Sequence, residues 1–203
     1  MQSDTVFYVK SHFGGGPAFL QVGHFAERIV TVPQYDLGAM LDRPVPPAGI
    51  LLTMHADQVH LQRLAPLLER YVDGGGTVVV NGHVARPYLT ELTPFVPVAR
   101  QRPADLQLAR VTNHPVFTRI DPADLQSRKG VYGFYGRGAN PPPKGATVIH
   151  ELVGERAPVD WSVRRSTGGR VFSHAGNDLW GVAERPETTA RLMAQLLDWV
   201  LAP

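Results

Sequence analysis

The sequence predicts an α/β domain built on a mainly parallel sheet. Two observations carry this: short β-branched or fully apolar runs alternate with segments of helical spacing, and successive buried strands are joined by a helix. Such joining indicates parallel pairing with right-handed crossovers. The chain has 203 residues, enough for one domain with a substantial core, and its 43% hydrophobic and 19% charged content is that of an ordinary globular protein.

Taken in order, "TVFYVK" (5–10) predicts a first strand. Pro17 then suits the opening of a short helix through Phe19 and Val22. "RIVTV" (28–32) is the second strand, and "GILLTM" (49–54), apolar throughout, is a third covered on both faces. Leu61, Leu64, Leu67, Leu68, Tyr71 and Val72 recur at helical spacing. Pro66 predicts a loose first turn there, with a regular helix from Pro66 to Asp73. Gly74, Gly75 and Gly76 end it, and "TVVVN" (77–81) is the next buried strand. "NGHVARPYL" after it predicts a sharp turn running into a helix.

From about 93 to 145 the chain is rich in proline and glycine. It offers only short strands, "LQLARV" and "GVYGFY", and ends in "GRGANPPPKG", which reads as a mobile loop or edge excursion. With too few apolar residues for its own core, it is an insertion on a single domain spanning 1–203. "ATVIHEL", "VDWSVRR" and "GRVFSHA" predict further strands, and "PETTARLMAQLLDWVLA" a closing helix with Leu192, Leu196, Trp199 and Val200 inward.

Charge and composition narrow the function classes. The net charge of +2 comes from dispersed arginines, and only "RVTNHPVFTR" and "WSVRRSTGGR" bring basic residues together. Neither interleaves aromatics as a nucleic-acid reader would, so no nucleic-acid partner is expected. No apolar run approaches membrane-spanning length and no signal peptide is visible, so no membrane partner and a cytoplasmic location are expected. The absence of cysteine excludes disulfides, thiolate metal sites and a cysteine nucleophile.

Ligands of open parallel sheets bind beyond the carboxyl ends of the strands. Four of the eight histidines fall there: His12, His55, His83 and His174. They predict a rim pocket in which His55 and His83 exchange protons, Asp57 or Asp178 orients an imidazole, and His12, Asn81, Gly82, His174 and Asn177 contact a small molecule. Tyr135, with Tyr132, would form an aromatic wall, or simply the packed face of a strand. No cofactor is expected; a divalent metal on imidazole and carboxylate would need ligand pairs that no helix here supplies. "HFGGGPAF" lacks the lysine and spacing of a phosphate loop and reads as a turn. No G-x-S-x-G motif marks Ser11 or Ser173 as a nucleophile. His114 reads as fixing a turn before Pro115.

The order of "TMHAD", "YVDGGGTVVVNGHVARPYL", "VTNHPVFTRID", "PVDWSVRRSTGGRVFSHAGND" and "ETTARLMAQLLDWVL" resembles the trehalose-utilisation (ThuA-like) family of the class I glutamine amidotransferase-like superfamily. The resemblance implies a flavodoxin-like doubly wound fold with helices on both faces, and it places His55 and His83 at the family's histidine positions. Val80 and Asn81 stand where the family's elbow carries histidine and serine, and Asn177 where a histidine is expected. Glutaminase chemistry is thereby excluded. Two functions are expected: a carbohydrate-directed isomerase, epimerase or lyase acting on a sugar-like small molecule, or a non-catalytic ligand-binding or protein-interaction domain. Self-association is left open.

Overall fold

The computed structural model describes residues 4–12, 16–21 and 23–202. Its strands are β1 (Val6–Lys10), β2 (Ile29–Pro33), β3 (Gly49–Leu52), β4 (Thr77–Asn81), β5 (Val96–Pro97), β6 (Leu108–Arg110), β7 (Ser127–Arg128), β8 (Val131–Tyr132), β9 (Gly138–Ala139), β10 (Thr147–Leu152), β11 (Ala157–Arg164) and β12 (Arg170–His174). The α-helices are α1 (Gly23–Arg28), α2 (Leu37–Leu41), α3 (Gln58–Arg63), α4 (Ala65–Asp73) and α5 (Pro186–Leu201). Eight strands form one sheet in the order β2-β1-β3-β4-β12-β11-β10-β6, and β5–β9 and β7–β8 make two small pairs. The pairings from β2 to β12 are parallel; those from β12 to β6 are antiparallel.

The central strands are apolar because both faces are covered. Every residue of β3, β4 and β12 is buried, whereas the edge strand β2 exposes Val30, Thr31 and Pro33. Side chains alternate along β4: Val79 joins a core with Leu192, Leu196 and Val200 of α5, while Val78 and Val80 join one with Leu68, Tyr71 and Val72 of α4. The helices therefore cover both faces of the sheet.

Residues 93–145 add Val98, Leu106, Leu108, Val116, Phe117, Ile120, Leu125 and Tyr135 to the α5-side core. Even the last piece of this stretch, expected as a mobile loop or edge excursion, is tied inward. Asn140 is fully buried; its side chain accepts from Val84 N–H and donates to Gly82 O and Ser173 Oγ, and its carbonyl accepts from Trp161 Nε1.

Four local expectations are corrected. The segment before Pro66 is a regular helix, α3, capped by Asp57; the break falls at Leu64, because proline cannot continue a helix through residue 66. "GILLTM" stops as a strand at Leu52. No helix follows β4: residues 83–95 run irregularly, burying Val84, Tyr88, Leu89 and Leu92, with Pro87 and Pro94 interrupting any helical ladder. The helix expected through Val22 is a 3₁₀ turn, Ala18–Gln21, followed by α1; Val22 itself and Phe13–Gly15 of the glycine turn lie outside the described residues. No helix among the described residues is long and apolar enough to cross a membrane.

Candidate functional site

The parallel strands β1, β3, β4 and β12 deliver their carboxyl ends to one border of the sheet, as the sequence predicts. The predicted side chains there are only partly brought together: His83 and Asn177 line one cleft, and His12 lines another. His12 is exposed and lines a groove with Lys10, Ser11, Pro33, Gln34 and Tyr35. His83 belongs to a different cleft of about 230 Å³, with Met54, Phe134, Arg137, Gly176 and Asn177. His83 lies flat on Phe95, ring centroids 3.6 Å apart, and burial followed by the nearby His174 depresses its pKa. His55 is exposed and acts on Asp178 electrostatically.

The remaining predicted residues are engaged with the fold. Asp57 is the N-cap of α3, accepting from Val59 N–H and His60 N–H, with the Tyr35 hydroxyl as a third donor. The bond from His60 N–H contributes most to holding its carboxyl below the usual range. Asp178 accepts from Met54 N–H at 2.6 Å, and burial pushes its carboxyl up. Asn81 donates to Leu52 O and accepts from Leu179 N–H. Asn177 donates to Phe134 O.

Gly82 carries the turn after β4 with φ +91°, and a Cβ there would sit 2.7 Å from Met54 Cα. Its N–H reaches past the strand end to His174 O at 2.9 Å. Gly82→Ala is therefore expected to lose about 1–3 kcal/mol of stability, measured by denaturant unfolding; an unchanged midpoint would show that the turn is not strained.

The most concentrated polar chemistry lies one layer deeper. Register places Arg110, His150, Asp160, His174 and Asn81 side by side on β6, β10, β11, β12 and β4, a polar row crossing the α5 side of the sheet. Asp160, His150 and His174 have no exposure and Tyr135 has 1%. One Asp160 oxygen meets His150 Nδ1 at 2.7 Å and accepts from the Tyr135 hydroxyl at 2.6 Å; the other meets His174 Nδ1 at 2.6 Å. Burial opposes ionisation of Asp160, but the facing His174 and His150 outweigh it and hold the carboxyl well below its ordinary range. Tyr135 is pushed far up by burial and by Asp160, so it stays a donor. Tyr135 is thus a buried link in this row, not the wall of an open pocket. His150 Nε2 and His174 Nε2 have no hydrogen-bond partner among the described residues.

Sequence reasoning named His174 and Tyr135 but missed His150 and Asp160. The available signal was a histidine and an aspartate, each in mid-strand among apolar neighbours, in "VIHEL" and "VDWSV". His114 does fix its turn: Nδ1 accepts from Val116 N–H at 3.3 Å. Among the described residues, no group of three or more His, Cys, Asp or Glu gathers as metal ligands would.

No family model matches the sequence, and no curated protein matches it. Among solved structures, the chain is similar to one titled "mmIFT52 N-terminal domain", with a TM-score of 0.60, 14% identity, and 98% of each chain covered. At that identity the likeness shows the fold alone. It nevertheless corrects the resemblance drawn from motif order: the chain aligns end to end with this domain, and no family model supports a ThuA-like or amidotransferase-like assignment. The carbohydrate-processing function and the sugar ligand expected from that resemblance fall with it. The motifs misled because glycine-bounded strands with polar ends are common to open α/β sheets generally.

Proposed function

We propose that the chain is a non-catalytic protein-interaction domain. The observation that carries this reading is where the strand-end polar groups go. Asp160 is closed in by His150, His174 and Tyr135, and Asn81, Asp57 and Asp178 each bind backbone N–H groups. A general acid–base site must leave a titrating group within reach of substrate. Here most of the groups held in defined geometry serve the fold, and His83, which does open into a cleft, is stacked on Phe95 with no carboxylate hydrogen-bonded to its ring among the described residues. Val96, Val131 and Tyr132, each 45–54% exposed on the short strands of the insertion, provide apolar contact area. The finer reading of the fold is that β2-β1-β3-β4-β12 is a flavodoxin-like strand order within one domain.

The test is in-cell crosslinking followed by affinity recovery of the wild-type chain and of H83A. A defined protein partner, recovered equally with both, is expected. Recovery of no protein, together with turnover of a small molecule that H83A abolishes, would overturn the reading.

A further inference from the structure

The sequence singles out "RVTNHPVFTR" as one of two clusters of basic residues. The fold turns this stretch into the wall of a cleft of about 490 Å³, lined by Arg110, Asn113, His114, Phe117, Thr118 and Arg119. Arg110 comes from β6 and Arg119 from the turn after the 3₁₀ segment Pro115–Phe117. Resting on the interaction reading, we propose that this cleft is the docking site for an acidic segment of a partner protein, whose carboxylates pair with Arg110 and Arg119.

Three observations support it. First, the cations are uncompensated locally. Between Asp105 and Asp121 the chain has no acidic residue. Among the described residues, the Arg110 side chain donates only to Ile120 O, and its buried Nε has no partner. Asp121 and Asp124, the nearest acids in sequence, are engaged with Ala123 N–H and Arg185. Planar guanidinium groups without a carboxylate are matched to one geometrically.

Second, Arg119 is held in place against its backbone preference. Its φ is +55°, in the left-handed region that disfavours any residue carrying a Cβ. Arg191 of α5 donates to its carbonyl, and Gln195 to that of Thr118, so the turn is clamped while the Arg119 side chain stays exposed.

Third, the cleft suits carboxylates better than nucleobases. Phe117 is 1% exposed and cannot serve as a stacking platform. His114 packs against Phe172 and Trp199, and burial depresses its pKa to about 4, so the two arginines carry the charge.

The experiment uses the full chain and a fluorescein-labelled peptide of glutamate and serine, followed by anisotropy. Controls are the same peptide with glutamine for glutamate, and a single-stranded oligonucleotide of equal charge. The glutamate peptide is expected to bind, the glutamine peptide not, with binding falling as salt rises. Arg119→Gly, which removes the charge where glycine also relieves the positive φ, is expected to weaken binding about tenfold. Asn113→Glu, on an exposed wall of the cleft, should weaken it similarly. Equal binding by R119G, or by the glutamine peptide, overturns the proposal. Tighter binding of the oligonucleotide, lost in R119G, overturns the assignment to an acidic protein. If the peptide fails while a partner is still recovered by crosslinking, only the docking site falls; if no partner is recovered either, the interaction reading falls with it.

Discussion

Asp160→Asn is expected to destabilise the protein by about 3–5 kcal/mol, lowering the melting temperature by roughly 10 °C. The side chain keeps its shape, so the loss reports the charge and the second acceptor oxygen and not packing. Three donors converge on the Asp160 carboxylate: the Tyr135 hydroxyl and one ring nitrogen each of His150 and His174, all within 2.7 Å. An amide offers one acceptor oxygen and turns its NH₂ toward a ring N–H. With no exposure anywhere among Asp160, His150 and His174, water cannot make good the mismatch. The pH dependence gives an independent check. Because the folded-state pKa of Asp160 is depressed, its contribution is fully present above the unfolded carboxylate value, about 3.9, and is lost as pH falls through the folded value. The wild type should therefore lose stability progressively below about pH 4, and D160N should show a shallower acid limb there. Equal melting temperatures, or parallel acid limbs, would show that the carboxylate is not charged in the folded state.

What the sequence makes visible here depends on the range of the interaction involved. β4 is legible to the residue, since a strand covered on both faces must be apolar throughout, and "TVVVN" lies between a glycine run and a glycine turn. α5 is legible because Leu192, Leu196 and Val200 repeat at helical spacing. Residues 83–95 misled, because a helix after a buried strand is the usual continuation and the burial of Tyr88 and Leu89 mimics one. The polar row was hidden for a different reason. Each of Arg110, His150, Asp160 and His174 is ordinary on its own strand, and only the pairing of four strands brings them abreast. Asp57 shows the converse case: "DQVH" carries a local N-cap signal, which the reading by position at a strand end passed over and which the structure realises as the cap of α3.

The second large effect is expected at the other end of β12. Arg170 is 8% exposed, and its guanidinium directs its donors at the end of α5: Nη1 to Trp199 O at 2.8 Å, Nη2 to Val200 O at 3.1 Å and Ala202 O at 2.6 Å. Nε donates to Thr77 Oγ1 at 3.1 Å, and the group lies 4.8 Å from the Trp199 ring. These carbonyls have no intrahelical partner, and a cation at a helix C-terminus also meets the negative end of the dipole. Burial pulls the Arg170 pKa down, yet guanidinium stays charged, so the desolvation it suffers is offset only by these bonds. Arg170→Ala should cost about 3–5 kcal/mol and raise hydrogen exchange first in the last turn of α5. Arg170→Lys retains the charge but lacks the planar fork that serves three carbonyls, so it should fall between, at about 1–3 kcal/mol. That ranking separates capping from charge: if R170K matched the wild type, the dipole alone would account for the effect, and if it matched R170A, the fork geometry would. A variant R170A with unaltered exchange in α5 would mean that the helix is held by Leu192, Leu196 and Val200 without help from its cap.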